Sequence, residues 1–594
     1  MKKFRRLVSE VWYLSRPYFT SEDRKWAWGL LLAVVALTLI LVGLDVLQSF
    51  SRNIYYTALQ QRDVKNFMLG LFWYVRTPDG LVPGFFIIAI PSLLGAVYAT
   101  YLQQLLQLRW RGWMTRHMLA QWLERNTAFL IAVHEAGLDT APERESTPGQ
   151  GPDNPDQRIQ EDIDRFAADT LTQVTDLLSN VITLCSYVGL LWVLSGPLVV
   201  LGVRIPGYFL WVALIYSIVA TLITHLAGRR LIGLRMFQQK VEADFRYALV
   251  HVRNNAESIA LTGGAAQEQA GLLGKFTSVY GNFLRIMNRT KWLGLLTSGL
   301  EVLSGNFALL VGSIRYFANK ISFGTLMQLV LAFSRVQGAL GWIASSYASL
   351  AEWRANVARL ATFQRTMDRA RAHEQAIERV KGAADSDLLV EHLSIMRPDG
   401  SVLLNDVCLT LPRGRNIALT GPSGIGKSTF LRVLAGIWPF AAGRIVQPDA
   451  RMMFVPQTPY LPLGTLRQAL CYPGAVEAHT PEAVNAVLAK VGLAAFAGRL
   501  DEEARWAETL SAGEQQRLLF GRVLLTAPDW VFLDESTSSL DEDAETALYS
   551  LLRTELPSVT LVSITHRPGL LARQDVQLDI AHFRPAGPAV SALG

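Results

Sequence analysis

Length, composition and charge together disfavour a purely soluble protein. The chain has 594 residues, of which 50% are hydrophobic and 18% are charged, whereas soluble proteins carry about 25% charged residues. The formal net charge is +6, but the basic residues flank apolar segments, which favours contact with anionic lipid and predicts no nucleic-acid partner.

The apolar residues concentrate before residue 350, in segments of membrane length. A transmembrane helix needs about 20 mostly apolar residues to cross about 30 Å of hydrocarbon. The sequence predicts six such segments, in contact with a lipid bilayer, at 28–47, 84–106, 171–195, 206–228, 293–317 and 321–345. The last two are separated by a turn of only a few residues at 318–320, so we expect them to be antiparallel neighbours.

The distribution of Lys and Arg predicts the orientation of these segments. Basic residues are frequent in the amino-terminal segment and between residues 229 and 292, whereas the short connections at 196–205 and 318–320 hold one each. Since basic residues favour the cytoplasmic side of a membrane, we expect both chain termini in the cytoplasm.

Two cytoplasmic connections, 107–170 and 229–292, are too long for simple loops. Their apolar residues recur at steps of three and four, as on helices. We therefore expect the helices to continue beyond the bilayer and to turn back at tips, the first of them in the Pro- and Gly-rich run 141–157.

The chain has three cysteines, whose spacing matches no metal or redox motif. Cys185, Cys408 and Cys471 are interpreted as ordinary packed thiols. The lack of a disulfide framework favours a reducing compartment for the soluble part.

The character of the sequence changes after residue 365. The following residues are polar and rich in Arg and Glu, as on a solvated helix that ends near Gly382. Short β-rich runs begin at Leu388. The sequence therefore predicts a transmembrane domain at 1–365, a linker at 366–387 and a soluble domain at 388–594.

A glycine-rich segment in the soluble domain predicts a phosphate-binding loop between a strand and a helix. Backbone N–H groups of such a loop, together with the helix N-terminus, attract phosphate, the lysine reaches the β- and γ-phosphates, and the following serine can ligate Mg²⁺. The predicted loop consists of Gly421, Pro422, Ser423, Gly424, Ile425, Gly426, Lys427, Ser428 and Thr429.

Two carboxylates end a later apolar strand, Trp530-Val-Phe-Leu-Asp534-Glu535. An acid at such a strand end can hold Mg²⁺, and its neighbour can orient or deprotonate an attacking water. Alone, the pair would more often be a solvated strand terminus, but its position after a phosphate loop favours catalysis.

The segment Leu510-Ser-Ala-Gly-Glu-Gln-Gln-Arg517 resembles the LSGGQ signature of ATP-binding cassette (ABC) proteins. Ala512 and Glu514 stand where the family has Gly and Gln. The order of the neighbouring motifs is also similar to that family, since Gln457 resembles the Q-loop glutamine, Asp541 the D-loop aspartate and His566 the switch histidine. This resemblance implies an α/β P-loop cassette.

In this family, two cassettes enclose ATP between them. The resemblance implies that the phosphate loop of one cassette grips ATP, while Ser511, Gly513 and Glu514 of the other close over the γ-phosphate beside Asp541. Mg²⁺ would be held by Ser428, Gln457 and Asp534. The implied catalytic residues are Glu535, which acts on water, His566, which steadies the γ-phosphate, and Gln457, which senses the metal and the membrane domain.

The adenine-binding position departs from the family pattern. ABC cassettes commonly stack adenine on an aromatic residue about 25 positions before the phosphate loop, where this chain has Met396 and Arg397. A guanidinium plane can also stack on a base, so we expect Arg397 to provide the adenine platform.

Six spans before one cassette resemble a half-transporter of the ABC exporter fold, which needs a second chain to complete its ATP sites. We therefore expect a homodimer, although a heterodimer with a similar chain stays open. Residues 154–162 resemble a run in peroxisomal fatty acyl-CoA half-transporters and in bacterial SbmA/BacA-like transporters, and residues 51–60 resemble the bacterial group more.

The bacterial resemblance implies an inner-membrane transporter of bulky hydrophilic or peptide-like solutes such as cobalamin, bleomycin or antimicrobial peptides. The alternative is an acyl-CoA or lipid transporter. The direction of transport stays open, because import and export could use the same ATP-switched dimer.

Polar residues outside the cassette suggest two further roles. Asp156, Arg158 and Asp162 would transmit cassette closure to the membrane domain, or would simply form a capped, charged loop that enters a helix.

Some polar residues within the spans are compatible with a hydrated cavity, since ionisable groups in membrane helices usually face a partner or water. These are Asp45, Gln103, His225, Glu301, Asn306, Arg335 and Gln337; alternatively, Asp45, Arg335 and Gln337 lie near a membrane surface or in a cytoplasmic extension.

Overall fold

Helices dominate the first part of the chain in a computed structural model that describes residues 2–78, 80–138, 154–200, 203–372 and 376–585. These helices are α1 (Lys2–Thr20), α2 (Arg24–Gln60), α3 (Val64–Phe72), α4 (Phe85–Leu123), α5 (Thr127–Leu138), α6 (Pro155–Gln157), α7 (Ile163–Ser195), α8 (Tyr208–Asn254), α9 (Ala256–Thr262), α10 (Ala265–Phe317), α11 (Phe323–Ser345) and α12 (Tyr347–Ala372). Two antiparallel hairpins join neighbouring helices: β1 (Tyr74–Thr77) with β2 (Gly80–Pro83), and β3 (Pro197–Val200) with β4 (Val203–Pro206).

The predicted membrane segments coincide with long helices. By length and composition, five helical stretches in the described part of the chain could cross a membrane: Arg24–Gln60, Phe85–Val133, Pro155–Ser195, Tyr208–Asn254 and Ala265–Phe317. The sixth predicted segment coincides with α11, which has 23 residues and is more polar, with Gln328, Arg335 and Gln337.

Several helices are much longer than a bilayer is thick. Helix α10 has 53 residues and α8 has 47, which at 1.5 Å per residue give lengths of about 80 and 70 Å. These lengths exceed the roughly 30 Å of a hydrocarbon core, as the predicted extension of the helices beyond the bilayer requires. The predicted first tip at 141–157 lies outside the described residues, except for Asn154 to Gln157.

The chain divides into two compact units. Unit 1 comprises Met1–Leu119 and Asn154–Phe363, and unit 2 comprises Ala120–Asp153 and Gln364–Gly594. Within unit 1, α11 packs against α2, α7, α8 and α10. Its buried Phe333 joins a core with Tyr187 and Phe209, so α11 is a central element of this helical unit.

Unit 2 has an α/β architecture. Its remaining helices are α13 (Lys427–Leu434), α14 (Leu466–Cys471), α15 (Pro481–Lys490), α16 (Trp506–Thr509), α17 (Ala512–Thr526), α18 (Glu542–Glu555) and α19 (Pro568–Leu571). Its strands are β5 (Ala376–Gly382), β6 (Leu388–Met396), β7 (Val402–Leu411), β8 (Asn416–Thr420), β9 (Ala441–Pro448), β10 (Met452–Val455), β11 (Gly464–Thr465), β12 (Glu503–Ala504), β13 (Trp530–Asp534), β14 (Thr560–Ile564) and β15 (Val576–Asp579).

A five-stranded parallel sheet with the order β10-β13-β14-β8-β15 forms the centre of unit 2. Its inner strands are apolar and buried on both faces, as expected for a parallel sheet. The carboxyl ends of β8, β13 and β14 lie at one edge because the strands run in the same direction. This edge places the loop after β8 beside the acids after β13, where ligands of open α/β sheets bind.

A second sheet, with the order β5-β9-β6-β7, corrects the prediction of a helix that ends near Gly382. Helix α12 ends at Ala372, and Ala376–Gly382 is a strand that pairs in parallel with β9. The sequence of this stretch, Ala-Ile-Glu-Arg-Val-Lys-Gly, suits a half-exposed strand as well as a helix, and the pairing with β9 decides between them.

The cysteines also differ from expectation. All three are free, and Cys471 is buried in unit 2, but Cys185 and Cys408 are exposed on this chain. The prediction of packed thiols was therefore wrong for two of the three. Cys408 lies on β7, where alternate side chains point to the outer face of the sheet.

Candidate functional site

The glycine-rich loop adopts a conformation that glycine alone accepts easily. It connects β8 to α13, and Gly421, Gly424 and Gly426 have φ angles of 140°, 76° and 112°. A Cβ atom at Gly426 would lie 2.6 Å from a side-chain carbon of Leu403. The backbone therefore curls around an open centre at the N-terminus of α13, a position that favours anions.

Lys427, the first residue of α13, folds back over this loop. Its Nζ donates hydrogen bonds to the carbonyl oxygens of Gly421 at 2.8 Å and Pro422 at 3.1 Å. Burial lowers the pKa of the ammonium group, whereas nearby Glu535 and Asp534 oppose this shift. A bound phosphate would supply the counter-charge that the two neutral carbonyl groups lack.

Ser428 and Asp534 bring two oxygen ligands together. Ser428 Oγ donates a hydrogen bond of 2.8 Å to Asp534 Oδ1 across the edge of the sheet. Burial raises the pKa of the Asp534 carboxyl, against the stabilising bond from Ser428. A hydroxyl and a carboxylate at this spacing are the kind of oxygen ligands that Mg²⁺ prefers.

Glu535 is held between two of the predicted partners. Gln457 Nε2 donates to Glu535 Oε2 at 3.1 Å, and His566 Nε2 lies 3.7 Å from Glu535 Oε1. The backbone φ of Glu535 is +46°, an uncommon conformation for a non-glycine residue that recurs at functional sites. The carboxylate is thus positioned by strand β13 and by the two flanking loops.

These groups surround a cavity of about 620 Å³. Nine of the predicted site residues line it: Arg397, Ser423, Gly424, Gly426, Lys427, Ser428, Thr429, Gln457 and Glu535. Gly421, Pro422 and Ile425 complete the loop behind the lining residues, and Asp534 and His566 contact Ser428 and Glu535 from outside. The structure therefore brings most of the predicted phosphate site into one place.

The signature residues serve a different local role. Ser511 is the N-cap of α17, and its Oγ accepts a hydrogen bond from Glu514 N while Glu514 Oε2 accepts one from Ser511 N. This reciprocal capping box stabilises the helix start, and Glu514, which stands where the family has Gln, completes it. Asp541 caps α18 in a similar way, through Ala544 N. Among the described residues, Ser511, Gly513, Glu514 and Asp541 do not line the 620 Å³ cavity.

Two supporting residues escaped the sequence analysis. Gln516 is buried on α17 and binds Ser538 Oγ through Nε2 and Ser539 N through Oε1. Arg567 donates to the carbonyl oxygens of Ser538 and Leu540 and to the buried Glu545. Together they fix the loop before Asp541. For Gln516, its place in the signature motif was an available signal; for Arg567 there was none.

The cavity also has lining residues that the sequence analysis missed. Arg397, the predicted adenine platform, starts a tight turn in which Arg397 N donates to Ser401 O, and Trp438 and Val133 also line the cavity. Trp438 is largely buried, and its indole N–H donates to Met396 O. Val133 belongs to α5, a segment of unit 2 that comes from the long first connection and packs on the cassette core. Because α5 is distant in sequence from the phosphate loop, the sequence did not indicate this contribution to the cavity.

The run from Asp156 to Asp162 forms a helical turn and a π-helical turn before α7. Asp162 is buried and accepts hydrogen bonds from Arg158 Nη1 at 2.7 Å and from Arg359 Nε and Nη2 at 3.0 and 2.9 Å. Asn356 donates to the carbonyl oxygen of Asp162. Asp156 is exposed. Within unit 1, this run is thus tied to α12 through a buried carboxylate.

The polar residues of the membrane helices fall into two groups. Some contact other polar groups: Arg335 binds Asp45, Gln337 binds Ser304, and Gln103 donates to Thr172. Asn306 bonds to a carbonyl of its own helix, and the side chains of His225 and Glu301 are exposed on this chain. The structure therefore places Asp45 and Arg335 together but does not bring all seven residues into one cluster.

Comparison with known proteins agrees with this architecture. Residues 14–317 match the family described as ABC transporter transmembrane region 2, and residues 404–538 match the family described as ABC transporter. A bacterial Atm1-family ABC exporter with ATP bound has a similar fold, with a TM-score of 0.65, 17% identity and 94% coverage of both chains. The predicted exporter-type fold, a helical membrane domain followed by a P-loop cassette, is confirmed.

Related sequences match over nearly the whole chain. It is 34% identical to an uncharacterized ABC transporter ATP-binding protein of Haemophilus influenzae, over 97% of this chain and 93% of that one. It is 30% identical to the inner membrane ABC transporter ATP-binding protein YddA of Escherichia coli, over 97% and 98%. A lysosomal cobalamin transporter of Mus musculus is 25% identical over 78% and 79%. The chain therefore belongs to the ABC transporter family, as an ATPase-coupled transporter in which one membrane domain is fused to one ATP-binding cassette.

Proposed function

We propose that this chain is an ATP-driven half-transporter that works as a homodimer in the bacterial inner membrane. The observation that carries the proposal is the separation of the phosphate loop from the signature residues. Lys427 lines the cavity, whereas Ser511 and Gly513 of the same chain do not. A second copy that supplies Ser511 and Gly513 would complete the site, and the same contact in return would complete the partner's.

The donor set at the sheet edge fits Mg²⁺, because Ser428 Oγ, the Asp534 carboxylate and the Gln457 amide supply oxygen ligands. When bound, the ion would neutralise charge on the phosphate oxygens. Lys427 would bind the β- and γ-phosphates, and Arg397 would stack on adenine.

Glu535 acts as the general base in this scheme. Its carboxylate accepts a proton from a water molecule, whose oxygen bonds to the γ-phosphorus as the bond from that phosphorus to the bridging oxygen of ADP breaks. Gln457 and His566 hold the carboxylate through their contacts with its two oxygens. His566 would also donate to a γ-phosphate oxygen.

The substrate class rests on the relatives and on the resemblance to SbmA/BacA-like transporters. We propose bulky hydrophilic or peptide-like solutes, of which cobalamin is supported by the similar lysosomal cobalamin transporter, while bleomycin and antimicrobial peptides rest on the resemblance alone. An acyl-CoA or lipid substrate is the second candidate, supported by the resemblance of residues 154–162 to peroxisomal acyl-CoA half-transporters. The inner membrane location is supported by the similar Escherichia coli protein.

Reconstitution of the full-length protein in liposomes tests this function. ATP-dependent movement of cyanocobalamin, bleomycin or palmitoyl-CoA is measured in both directions, with Glu535→Gln as the inactive control. We expect cyanocobalamin or bleomycin to move only with ATP and the native Glu535. Movement of palmitoyl-CoA alone would favour the second candidate, and movement of none of the three would refute both substrate classes.

A further inference from the structure

We propose that Arg335, paired with Asp45, is an anion-binding site for the phosphate or carboxylate group of the transported solute. This proposal rests on the transport function proposed above. It assigns a role to one pair of charged residues in the membrane helices.

Helices α2 and α11 are joined by a ladder of polar contacts. Buried Gln328 accepts from Asn53 Nδ2 at 2.7 Å and donates to Ser49 Oγ at 3.1 Å. Further along, Thr57 and Ser322 share a hydrogen bond of 3.1 Å, and Gln60 accepts from Phe323 N at 2.9 Å. These contacts follow an antiparallel register and hold the two helices in a fixed alignment.

The helices approach closely along this ladder. Gly324 faces α2 so tightly that an added Cβ would lie 1.9 Å from Asn53 O. Small residues that allow such an approach are typical of helix pairs in membranes. This ladder of polar contacts therefore packs the two helices together, and its polar groups are directed at one another.

The charged pair at the other end of the ladder is different because it is open. Arg335 Nη2 donates to Asp45 Oδ1 at 2.7 Å, and Tyr187 OH donates to Asp45 Oδ2 at 2.8 Å. The side chains of Arg335 and Asp45 are nevertheless 46% and 26% exposed on this chain. A charge exposed within a membrane helix is costly in lipid and is found facing water or a partner.

The surroundings of Arg335 on α11 also disfavour lipid. Ser334, Arg335 and Gly338 are exposed there, and in the described part of α11 no large hydrophobic side chain is exposed. Helix α10, by contrast, exposes Leu310 and Ile314. The exposed residues of α11 around Arg335 therefore have the composition expected of residues that line an aqueous path.

The hydrogen bonds of Asp45 and Arg335 favour an anionic ligand. Both oxygens of Asp45 already accept, one from Arg335 and one from Tyr187. The guanidinium of Arg335 has five N–H donors in a planar fork that matches phosphate and carboxylate. A solute anion can therefore bind the exposed side of Arg335, while Asp45 keeps the guanidinium oriented and competes with the anion for it.

Equilibrium binding to the full-length protein in lipid nanodiscs without nucleotide tests the proposal. The probes are cyanocobalamin, which carries one phosphodiester, palmitoyl-CoA, which carries several phosphates, and cationic bleomycin. We expect Arg335→Gln to weaken binding of at least one phosphate-bearing probe about tenfold or more. Arg335→Lys should retain part of the affinity, and Asp45→Asn should increase it because the competing carboxylate is removed. Arg285→Gln, a change at an exposed arginine on the neighbouring helix α10, is the matched control.

Several results would overturn the proposal. The first is an unchanged affinity of Arg335→Gln for the phosphate-bearing probes. The second is an equal loss of affinity in Asp45→Asn and Arg335→Gln, because this would indicate a purely structural pair. The third is that neither phosphate-bearing probe binds. Should Arg335→Gln not fold, the Arg335→Lys and Asp45→Asn variants decide, since only an anion site predicts opposite changes. Failure of the transport function is seen separately, as a lack of ATP-driven flux of any probe in liposomes.

Discussion

Two regions of the molecule, the nucleotide cavity of unit 2 and the helix contacts of unit 1, hold their charged side chains in different ways. In unit 2, strand ends and loops present Lys427 and Glu535 to an open cavity of about 620 Å³. In unit 1, Asp162 is buried between two arginines, and Asp45 is held by Arg335 and Tyr187. A charged side chain at the end of a parallel strand is available to a ligand, whereas these charged side chains of the helical unit form contacts between helices.

The largest expected effect is at the catalytic carboxylate. Because Glu535 is proposed to accept the proton of the attacking water, Glu535→Gln should lower the ATPase rate by a factor of about 100 or more while ATP binding is retained. Steady-state hydrolysis and equilibrium binding of ATP measure this. Glu542→Gln, at an exposed acid on α18, is the control and should change neither. A Glu535→Gln variant that hydrolyses ATP at half the native rate would contradict the assignment.

The buried carboxylate of unit 1 is expected to affect stability instead. Asp162→Ala leaves Arg158 and Arg359 without their shared partner, which should cost about 3 kcal/mol. Asp156→Ala, at an exposed acid in the same run, should change stability by less than about 0.5 kcal/mol. Thermal unfolding of the detergent-solubilised variants measures the contrast. Equal melting temperatures would show that the two acids are equivalent and that the ion pairs contribute nothing.

A smaller effect is expected where the signature helix meets the loop before Asp541. Gln516→Ala removes the hydrogen bonds of this buried amide to Ser538 Oγ and Ser539 N, which should cost about 1–2 kcal/mol. We also expect a lower ATPase rate, because this loop leads to Asp541. Unfolding and hydrolysis are measured in parallel, and native values of both would refute the supporting role of Gln516.

The smallest effect concerns the capping box of α17. Ser511→Ala should destabilise the protein by about 1 kcal/mol, the usual cost of losing an N-cap. Glu514→Gln should be nearly neutral for stability, because Gln can also complete a capping box. A large loss of stability in Glu514→Gln would mean that its charge, and not its hydrogen bond, holds the start of α17.

The cassette could be predicted in detail because its motifs have fixed spacing at strand ends. The phosphate loop, Gln457 and Glu535 all line or contact one cavity, as their order in the chain implied. The membrane helices were predictable from apolar length. The strand at 376–382 was not, because its identity depends on pairing with β9, which is distant in sequence.

The partners of polar residues were also hidden from the sequence. Asp162 and Arg359 are separated by almost two hundred positions, and no periodicity relates them. Val133 reaches the nucleotide cavity from a segment that was expected to be part of the transmembrane domain. Such contacts depend on how distant elements pack, which local patterns do not encode.

Each ATP site is proposed to consist of residues from two copies of this chain. Cross-linking of two differently tagged chains tests this arrangement. Both chains carry Glu535→Gln and have the native cysteines replaced by serine; one carries Ser423→Cys and the other carries Ser511→Cys. A short bifunctional maleimide should join the two tags, and ATP should increase the yield strongly. Cross-links that form within a single chain carrying both changes, with no product that contains both tags, would contradict the claim.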